Sequence, residues 1–237
     1  IGTNLVDLSL VLHPYRSNDG SYALHPRYKV NTVNYASGDT GDGNIKLKKS
    51  VMENNTFIRP GHYYSANDLQ KTYNHFGRLQ AVRYTNVGFR ENVDSLSLDC
   101  DIQISMNKPS TISFQPEGTN TAGDFGAAAS LTYQNRNLFH GSEVFSIELR
   151  GAYEAIRGLE GYANENFEEY SVETSLLFPR FIAPFLSSRF RRRTTATSEV
   201  SLLYDLQNRP EYHRRVLSVA WRYKWSDSNR NDRYQID

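Results

Sequence analysis

The 237-residue chain is poor in cysteine, methionine and tryptophan, and it carries almost no net charge. Its single cysteine, Cys100, excludes an intramolecular disulfide. The near-balance of 27 basic against 26 acidic side chains gives no reason to expect nucleic acid as a partner. No stretch approaches the roughly 18 apolar residues that a transmembrane helix requires. The mean hydropathy of −0.62 still leaves membrane strands open, because they alternate in polarity.

Signatures of catalysis and of metal binding are also missing. The histidines include no pair four residues apart and no His-x-His, so the sequence predicts no metal site. They are His13, His25, His62, His75, His140 and His213. No Walker A, G-x-G-x-x-G or G-x-S-x-G motif is present. We therefore expect a protein that is not an enzyme and needs no cofactor.

The lone thiol gives no sign of reactivity. Asp99 and Asp101 flank Cys100, and their negative charges would raise the pKa of its thiol. The sequence predicts a half-buried strand residue at this position.

The pattern of the chain changes near residue 107. Before that point strands mix with one helix, whereas after Pro109 strand follows strand. The predicted segments are 1–26, the end of a preceding module and a linker; 27–107, a small α+β module; and 108–237, an all-β region. Because Asn4–Leu12 already has a strand pattern and no signal peptide precedes it, we expect a mature fragment.

The α+β module is predicted to run strand, loop, helix, strand, strand. Its elements are Arg27–Tyr35, Ser37–Asn44, Ser65–Leu79, Ala81–Phe89 and Leu96–Met106. Ser65 is expected to cap the helix, one face of which carries Leu69, Tyr73 and Phe76. Alternation in the last strand predicts an apolar face. Its members are Leu96, Leu98, Cys100, Ile102 and Ile104.

The all-β region contains strands of about ten residues with one apolar and one polar face. They are Phe125–Tyr133, Val144–Glu154, Tyr170–Phe178, Val200–Leu206 and Leu217–Trp225. In a soluble sandwich the polar face would be hydrated, whereas in a membrane barrel the apolar face meets lipid and the charged face a water-filled lumen. Periodicity alone leaves both interpretations open.

The lengths of the connections favour the barrel. If the chain enters from the periplasm at Pro109, the outer connections are Gly118–Asp124, Ala155–Glu169 and Asn208–Glu211. The inner ones are Arg136–Glu143 and Pro179–Glu199, of which the second is too long for a tight turn. Aromatic residues near strand ends fit the interfacial girdles of a barrel. They are Tyr133, Tyr153, Phe178, Tyr223 and Trp225.

Several segments resemble the BamA/TamA superfamily of outer-membrane assembly proteins. Residues 114–126 and 129–143 resemble the opening of its barrel, and Arg136-Asn-Leu-Phe-x-Gly-Ser-Glu143 is the most specific part. Upstream, Arg59–Leu69 resembles the last POTRA module of such proteins. The resemblance covers most of residues 27–155. It departs from the family in having no evident first POTRA helix between Gly38 and Pro60 and no late-barrel loop motif.

The resemblance implies a POTRA-like α+β module followed by about six antiparallel N-terminal strands of a transmembrane β-barrel. It implies a location in the outer membrane of a Gram-negative bacterium, with the N-terminal module in the periplasm. The implied function is non-enzymatic insertion of other β-barrel proteins by strand pairing. The implied partners are unfolded outer-membrane protein clients, outer-membrane lipid and accessory lipoproteins, without nucleic acid.

Three sets of residues carry this hypothesis. The expected client-binding edge of the POTRA module is Val82, Tyr84, Asn86, Val87 and Phe89. The barrel seam strand is Thr111, Ile112, Ser113, Phe114 and Gln115. The basic cluster is Arg189, Arg191, Arg192 and Arg193, which is either a solvated turn or a contact with anionic lipid headgroups. For the two strand edges, a purely structural sheet is the alternative.

Two other functions are also consistent with the sequence. One is a secretion pore of the same superfamily that passes a dedicated substrate, and the other is a soluble periplasmic β-rich protein that binds a ligand. Glu148 with Glu173 or Asp205 could form a carboxylate pair, but charges lining a lumen explain them without catalysis.

Overall fold

The computed structural model describes residues 28–39, 44–92, 96–121, 124–155, 166–182, 194–209, 212–227 and 233–237. The chain divides into two compact units, Ile1–Asn107 and Lys108–Asp237. The predicted strand Asn4–Leu12 and the rest of segment 1–26 lie outside the described residues.

The first unit combines a three-stranded sheet with two helices. Its elements are β1 (Lys29–Ser37), α1 (Lys49–Asn55), α2 (Ala66–Phe76), β2 (Val82–Asn92) and β3 (Ser97–Met106). The strand order is β1-β3-β2, in which β1 runs parallel and β2 antiparallel to the central β3. Because β3 runs parallel to β1, the chain must cross over between these two strands. Both helices lie in that connection, before β2.

Helix α1 contradicts the expectation that Gly38–Pro60 holds no helix. It is only seven residues long, and no side chain caps its N-terminus. None of its residues is fully buried, so it has no apolar period that a sequence could show. Helix α2 agrees with the prediction at its start, where the Ser65 side chain accepts a hydrogen bond from the Asp68 N–H at 3.3 Å.

The core of the first unit lies between its sheet and its helices. The buried apolar residues are Val30, Leu47, Ile58, Phe76, Leu79, Ala81, Val82, Val87, Phe89, Leu98, Cys100, Ile102 and Ile104. The predicted apolar face of β3 is confirmed from Leu98 onward. Leu96 is the exception: it is 47% exposed with a φ of 48°, because it belongs to the turn that precedes Ser97.

Cys100 is fully buried rather than half-buried. Burial, with a smaller contribution from the charge of Asp101, raises the pKa of its thiol to about 12. The predicted direction of the shift is confirmed, but burial is its main cause.

The second unit is a single antiparallel sheet. Its strands are β4 (Ser110–Thr121), β5 (Asp124–Asn135), β6 (Val144–Glu154), β7 (Phe167–Phe178), β8 (Thr194–Arg209), β9 (Tyr212–Asp227) and β10 (Arg233–Ile236). Each strand pairs with its neighbours in sequence, in the order β10-β9-β8-β7-β6-β5-β4. Among the described residues the sheet therefore has seven strands where about six were expected, and the additional four-residue β10 is too short for a sequence pattern.

Strand β6 has the predicted bounds, and the other strands of this sheet that were predicted are longer than expected. Strands β8 and β9 have 16 residues each. Gly118–Thr121, predicted as part of a turn, continues β4, and Gly118 pairs with Ala127 on β5. The predicted connection Arg136–Glu143 between β5 and β6 is confirmed.

The other predicted connections are only partly visible. Residues 156–165 of Ala155–Glu169, 183–193 of Pro179–Glu199 and 210–211 of Asn208–Glu211 lie outside the described residues.

Candidate functional surfaces: an apolar sheet face and two strand edges

An apolar face crosses six strands of the second unit. The strand register aligns its side chains into rows that run from β4 to β9. One row is Phe114, Leu131, Leu149, Val172, Tyr204 and Leu217. The next is Ile112, Tyr133, Ile147, Thr174, Leu202 and Val219. The exposed fractions of Phe114, Leu149 and Leu217 are 65%, 45% and 67%, so this face is open.

The opposite face of the same sheet is polar. One of its rows is Gln115, Ser130, Arg150, Ser171 and Asp205. Ser130 is only 4% exposed. Arg150 on β6 reaches across β5 and places its guanidinium nitrogen 3.0 Å from the Glu117 carboxylate on β4. A sheet that covers serine and exposes leucine has the reverse polarity of a sheet in a water-soluble protein, where the apolar face packs on the core.

The acidic residues of the polar face are only partly brought together. Glu148 and Glu173 are direct cross-strand partners on β6 and β7. Asp205 instead faces Ser171, and its Oδ1 is buried without a hydrogen-bond partner among the described residues. Like charges placed opposite each other destabilise a sheet unless water or counter-charges solvate them. The Glu148–Glu173 pair therefore indicates a hydrated face.

Aromatic rings cluster on the apolar face where β7 ends. Phe181 stacks on Tyr223 with ring centroids 4.7 Å apart, and its centroid lies 5.9 Å from that of Trp225. The Tyr223 hydroxyl donates a hydrogen bond to the Ile182 carbonyl at 3.0 Å. Tyr223 and Trp225 were predicted as interfacial residues, and rings with an apolar body and a polar tip fit that environment.

A second group of exposed rings lies at the other end of the apolar face. It comprises Phe125, Tyr153 and Tyr170. On β7, the positions in line with Tyr153 and Tyr223 are Glu168 and Phe178, which are ten residues apart; this is about 34 Å along a strand and about 26 Å across a membrane at the tilt of about 40° that barrel strands have. The lipid-facing band of an outer-membrane barrel is about 25 Å tall. The separation of the two aromatic groups is therefore of the size that a membrane requires.

Side chains of the β5–β6 connection hydrogen-bond to its own backbone and hold it in one conformation. The Asn137 side-chain oxygen accepts a hydrogen bond from the Ser142 N–H at 3.1 Å, and the Glu143 carboxylate accepts one from the Gly141 N–H at 2.9 Å. Glu143 is 2% exposed, and the Arg180 guanidinium lies 3.9 Å from it. A Cβ atom at Gly141 would collide with the Glu143 carboxylate. This geometry explains the Gly-Ser-Glu end of the segment that resembles the BamA/TamA family.

The predicted client-binding residues lie on β2, at the edge of the three-stranded sheet. Among the described residues β2 pairs only with β3. The set divides by face: Val82, Val87 and Phe89 are buried in the core, whereas Tyr84 and Asn86 are exposed. An added strand would therefore hydrogen-bond to the backbone of alternate residues only and would contact the exposed side chains of only two of the five.

The opposite edge of this sheet, on β1, is already partly paired. Residues 61–64 run beside its first half. The Val30 N–H donates to the His62 carbonyl at 2.9 Å, and the Gly61 N–H donates to the Val30 carbonyl at 2.7 Å. Of the two edges, β2 is therefore the one that is more open to pairing with an added strand.

Tyr73 of α2 contacts the outer side of β2, which sequence reasoning did not anticipate. Its hydroxyl accepts a hydrogen bond from the Val87 N–H at 3.0 Å. Val87 therefore belongs to a non-hydrogen-bonded pair with Ile102 on β3, and by alternation the N–H groups of Thr85 and Phe89 also point outward. The sequence had assigned Tyr73 only to the core-facing side of the helix.

The predicted seam residues Thr111–Gln115 lie within β4, at one edge of the seven-stranded sheet. In the described part of the chain β4 pairs only with β5. Ile112, on the apolar face, is 70% exposed. The start of β4 is fastened to β5, because the Arg136 guanidinium donates to the Thr111 hydroxyl at 2.9 Å.

The predicted basic cluster cannot be placed. Arg189, Arg191, Arg192 and Arg193 lie outside the described residues. In the ranges that the structure describes, no group of three or more His, Cys, Asp or Glu side chains could hold a metal ion. None of the described helices has the length and apolar character to span a membrane.

Among the solved structures that are similar to this chain are one of BamA and one of CdiB. BamA from Haemophilus ducreyi lacking POTRA domains 1-3 is 10% identical and covers 86% of this chain and 45% of that one, with a TM-score of 0.40. CdiB from Acinetobacter baumannii is 9% identical and covers 84% of this chain and 42% of that one, with a TM-score of 0.47. The chain thus spans less than half the length of either protein. No protein-family model and no curated protein matches it.

Proposed function

We propose that this chain is part of an outer-membrane β-barrel protein of the BamA/TamA superfamily that inserts client β-barrel proteins by strand pairing. The exposed apolar face of the second unit is the observation that carries the proposal. Burying apolar surface stabilises a protein in water by about 25 cal/mol per Å². A soluble protein would therefore cover such a face, whereas the acyl chains of a lipid bilayer solvate it.

The topology of the first unit supports a periplasmic POTRA module. It has the order strand, helix, helix, strand, strand, and we take α1 as the first POTRA helix that was not evident in the sequence. The sequence resemblance of Arg59–Leu69 to the last POTRA module concerns the same unit. We place this module in the periplasm and the second unit in the outer membrane.

The proposed mechanism needs no catalytic side chain. An extended client segment adds to β2 and then to β4, and its main-chain N–H and C=O groups bond to those of the edge strand. Folding of the client provides the free energy of insertion. The partners we propose are unfolded outer-membrane protein clients, outer-membrane lipid and accessory lipoproteins.

Membrane location is tested by electrophoresis of the native full-length protein from outer-membrane extracts, heated and unheated. A closed barrel resists detergent, so the unheated band is expected to migrate faster than the heated one. A protein that stays in the aqueous fraction and shows no shift would contradict the membrane proposal and leave a soluble β-rich ligand-binding protein.

Client pairing is tested by disulfide trapping in the full-length protein, with Asn86→Cys on β2 and Asn34→Cys on β1 as its control. Both positions are exposed and lie on opposite edge strands of one sheet. An unfolded client with one cysteine is expected to form adducts at position 86 and few at position 34. Equal yields would contradict a role for the β2 edge. Adducts with a single dedicated substrate, and with no other outer-membrane protein, would indicate a secretion pore.

A further inference from the structure

The backbone of β4 has a defined outward side. The Arg136 N–H donates to the Pro109 carbonyl at 2.8 Å, so the backbone of Pro109 points toward β5. In an antiparallel pair, hydrogen-bonded and non-hydrogen-bonded positions alternate, and the register of β4 with β5 is unbroken from Ser110 to Thr121. Every second residue from Ser110 onward therefore directs its N–H and C=O groups away from β5. These residues are Ser110, Ile112, Phe114, Pro116, Gly118 and Asn120.

Pro116 is one of these outward residues, and it has no N–H to donate. The pairing of β4 with β5 does not suffer, because Pro116 stands opposite Ala129 in a non-hydrogen-bonded pair. On the outward side, however, the series of donors is broken. Ser110, Ile112 and Phe114 form a continuous group of three before the gap.

The strand is held to the sheet on both sides of the proline. Arg136 bonds to Thr111 at 2.9 Å near its start, and Arg150 pairs with Glu117 at 3.0 Å directly after the proline. Both contacts are made by side chains on the polar face of the sheet, away from the outward N–H and C=O groups of β4, so they persist when another strand pairs with those groups. The edge can therefore accept and release a strand without detaching from β5.

We infer that Pro116 ends the strand-accepting part of the β4 edge. This inference rests on the proposed function. The occupant is an extended client segment that pairs along Ser110–Gln115 and places apolar side chains beside Ile112 and Phe114, which are 70% and 65% exposed. A longer ladder would need a donor at position 116. The proline thus sets the register of the client strand and keeps its attachment short enough to be released.

The test is disulfide trapping of a single-cysteine client in the full-length protein, reconstituted in vesicles of outer-membrane phospholipid. Cysteines are introduced one at a time at positions 112, 114, 118 and 120. Adducts are expected at 112 and 114 and not at 118 and 120. The Pro116→Ala variant, which restores one donor, is expected to extend adducts to 118 and 120. It should also lengthen the dissociation half-time of the client roughly threefold to tenfold.

Pro179→Ala, after β7 in the same unit, is the matched control and should change neither result. Ile112→Pro, introduced into the protein with cysteine at position 114, moves the gap toward the start of β4 and should remove the adduct at 114. Wild-type adducts that continue past Pro116, or a P116A variant with unchanged pattern and half-time, would overturn the inference and leave the proposed function standing. A complete absence of adducts on β4 would instead count against strand pairing itself. The wild-type scan decides the matter even if P116A does not fold.

Discussion

At the scale of single residues, the first unit holds two titratable side chains away from water. His75 packs its ring edge-to-face against Phe57 with centroids 4.7 Å apart. Burial, and then the positive charges of Arg78 and Lys71, lower the pKa of His75 to about 4. Cys100 lies in the core beneath the helices. Both groups are therefore uncharged in the folded protein at neutral pH.

The depressed pKa of His75 makes stability depend on pH. The unfolded chain binds a proton near pH 6.5, whereas the folded protein resists it until about pH 4. Stability from this group is therefore complete above pH 6.5 and is lost as the pH falls toward 4. Allowing for the partial exposure of the ring, we expect a loss of about 1–2 kcal/mol.

The measurement is chemical denaturation at pH 7 and pH 5 for the wild type and His75→Gln. The glutamine variant cannot titrate, so its stability should fall less between the two pH values. An identical fall in both proteins would assign the effect to other groups.

Cys100 should report the unfolding of the first unit. Because its thiol is buried and its pKa is raised to about 12, a maleimide reagent at pH 7.5 should not label the folded protein. Labelling should begin with global unfolding in denaturant. The exposed control is Asn34→Cys, in which one thiol should react at once. Rapid labelling of wild-type Cys100 in buffer would show that the core opens without unfolding.

At the scale of elements, the two edges of the three-stranded sheet differ. Among the described residues, strand β1 is partly covered by residues 61–64, whereas on the outward side of β2 the Val87 N–H bonds to the Tyr73 hydroxyl. An edge strand with free N–H groups invites unwanted pairing, which proteins usually prevent by covering the edge. Tyr73 thus protects the middle of β2 with a contact that an incoming strand can replace.

Tyr73→Phe should expose the Val87 amide. The variant loses one hydrogen bond, for which we expect a destabilisation of about 0.5–1.5 kcal/mol. It should also show faster hydrogen exchange at Val87 and more client adducts on β2. Tyr35→Phe is the matched control, because Tyr35 donates a comparable bond to Thr56 at 2.9 Å. The control should lose similar stability without faster exchange at Val87, measured by NMR. Equal exchange in both variants would contradict the protective role of Tyr73.

At the scale of the whole molecule, the polarity of each face of the second unit indicates which medium that face contacts. Its apolar rows are continuous across six strands, its aromatic groups flank those rows toward the two ends of the strands, and its charges lie on the other face. The same strands could not be stable in water with this face open. The arrangement favours lipid on one side and water on the other.

Leu131→Arg and Thr132→Arg test this asymmetry with neighbouring residues on opposite faces. Leu131 is 43% exposed on the apolar face, and Thr132 stands opposite Glu148 on the polar one. An arginine at the lipid-facing position should destabilise the protein by about 2–4 kcal/mol, and one at the lumen position by much less. The measurement is denaturant unfolding of the full-length protein in phospholipid vesicles. Equal losses in both variants would refute a lipid-facing role for Leu131.

Helices and strands with a strong hydrophobic period were predictable from the sequence, and those with a weak period were not. The start of α2 at Ser65 and the alternation of β6 follow from neighbouring residues alone. Helix α1 escaped prediction because it has no side-chain cap and only two apolar residues that pack on the core, Val51 and Met52, which are too few to show a helical period. Leu96 was misplaced because alternation does not reveal where a turn ends and a strand begins.

The sequence by itself determined that the strands after Pro109 have one apolar and one polar face, since side chains alternate with a period of two residues. It did not determine what meets the apolar face, because a sandwich and a barrel share that period. Only the tertiary structure decided that this face is open, that β2 and β4 lie at sheet edges among the described residues and that the backbone of Pro116 points away from β5. Strand order and register depend on residues far apart in the chain, and no local pattern encodes them.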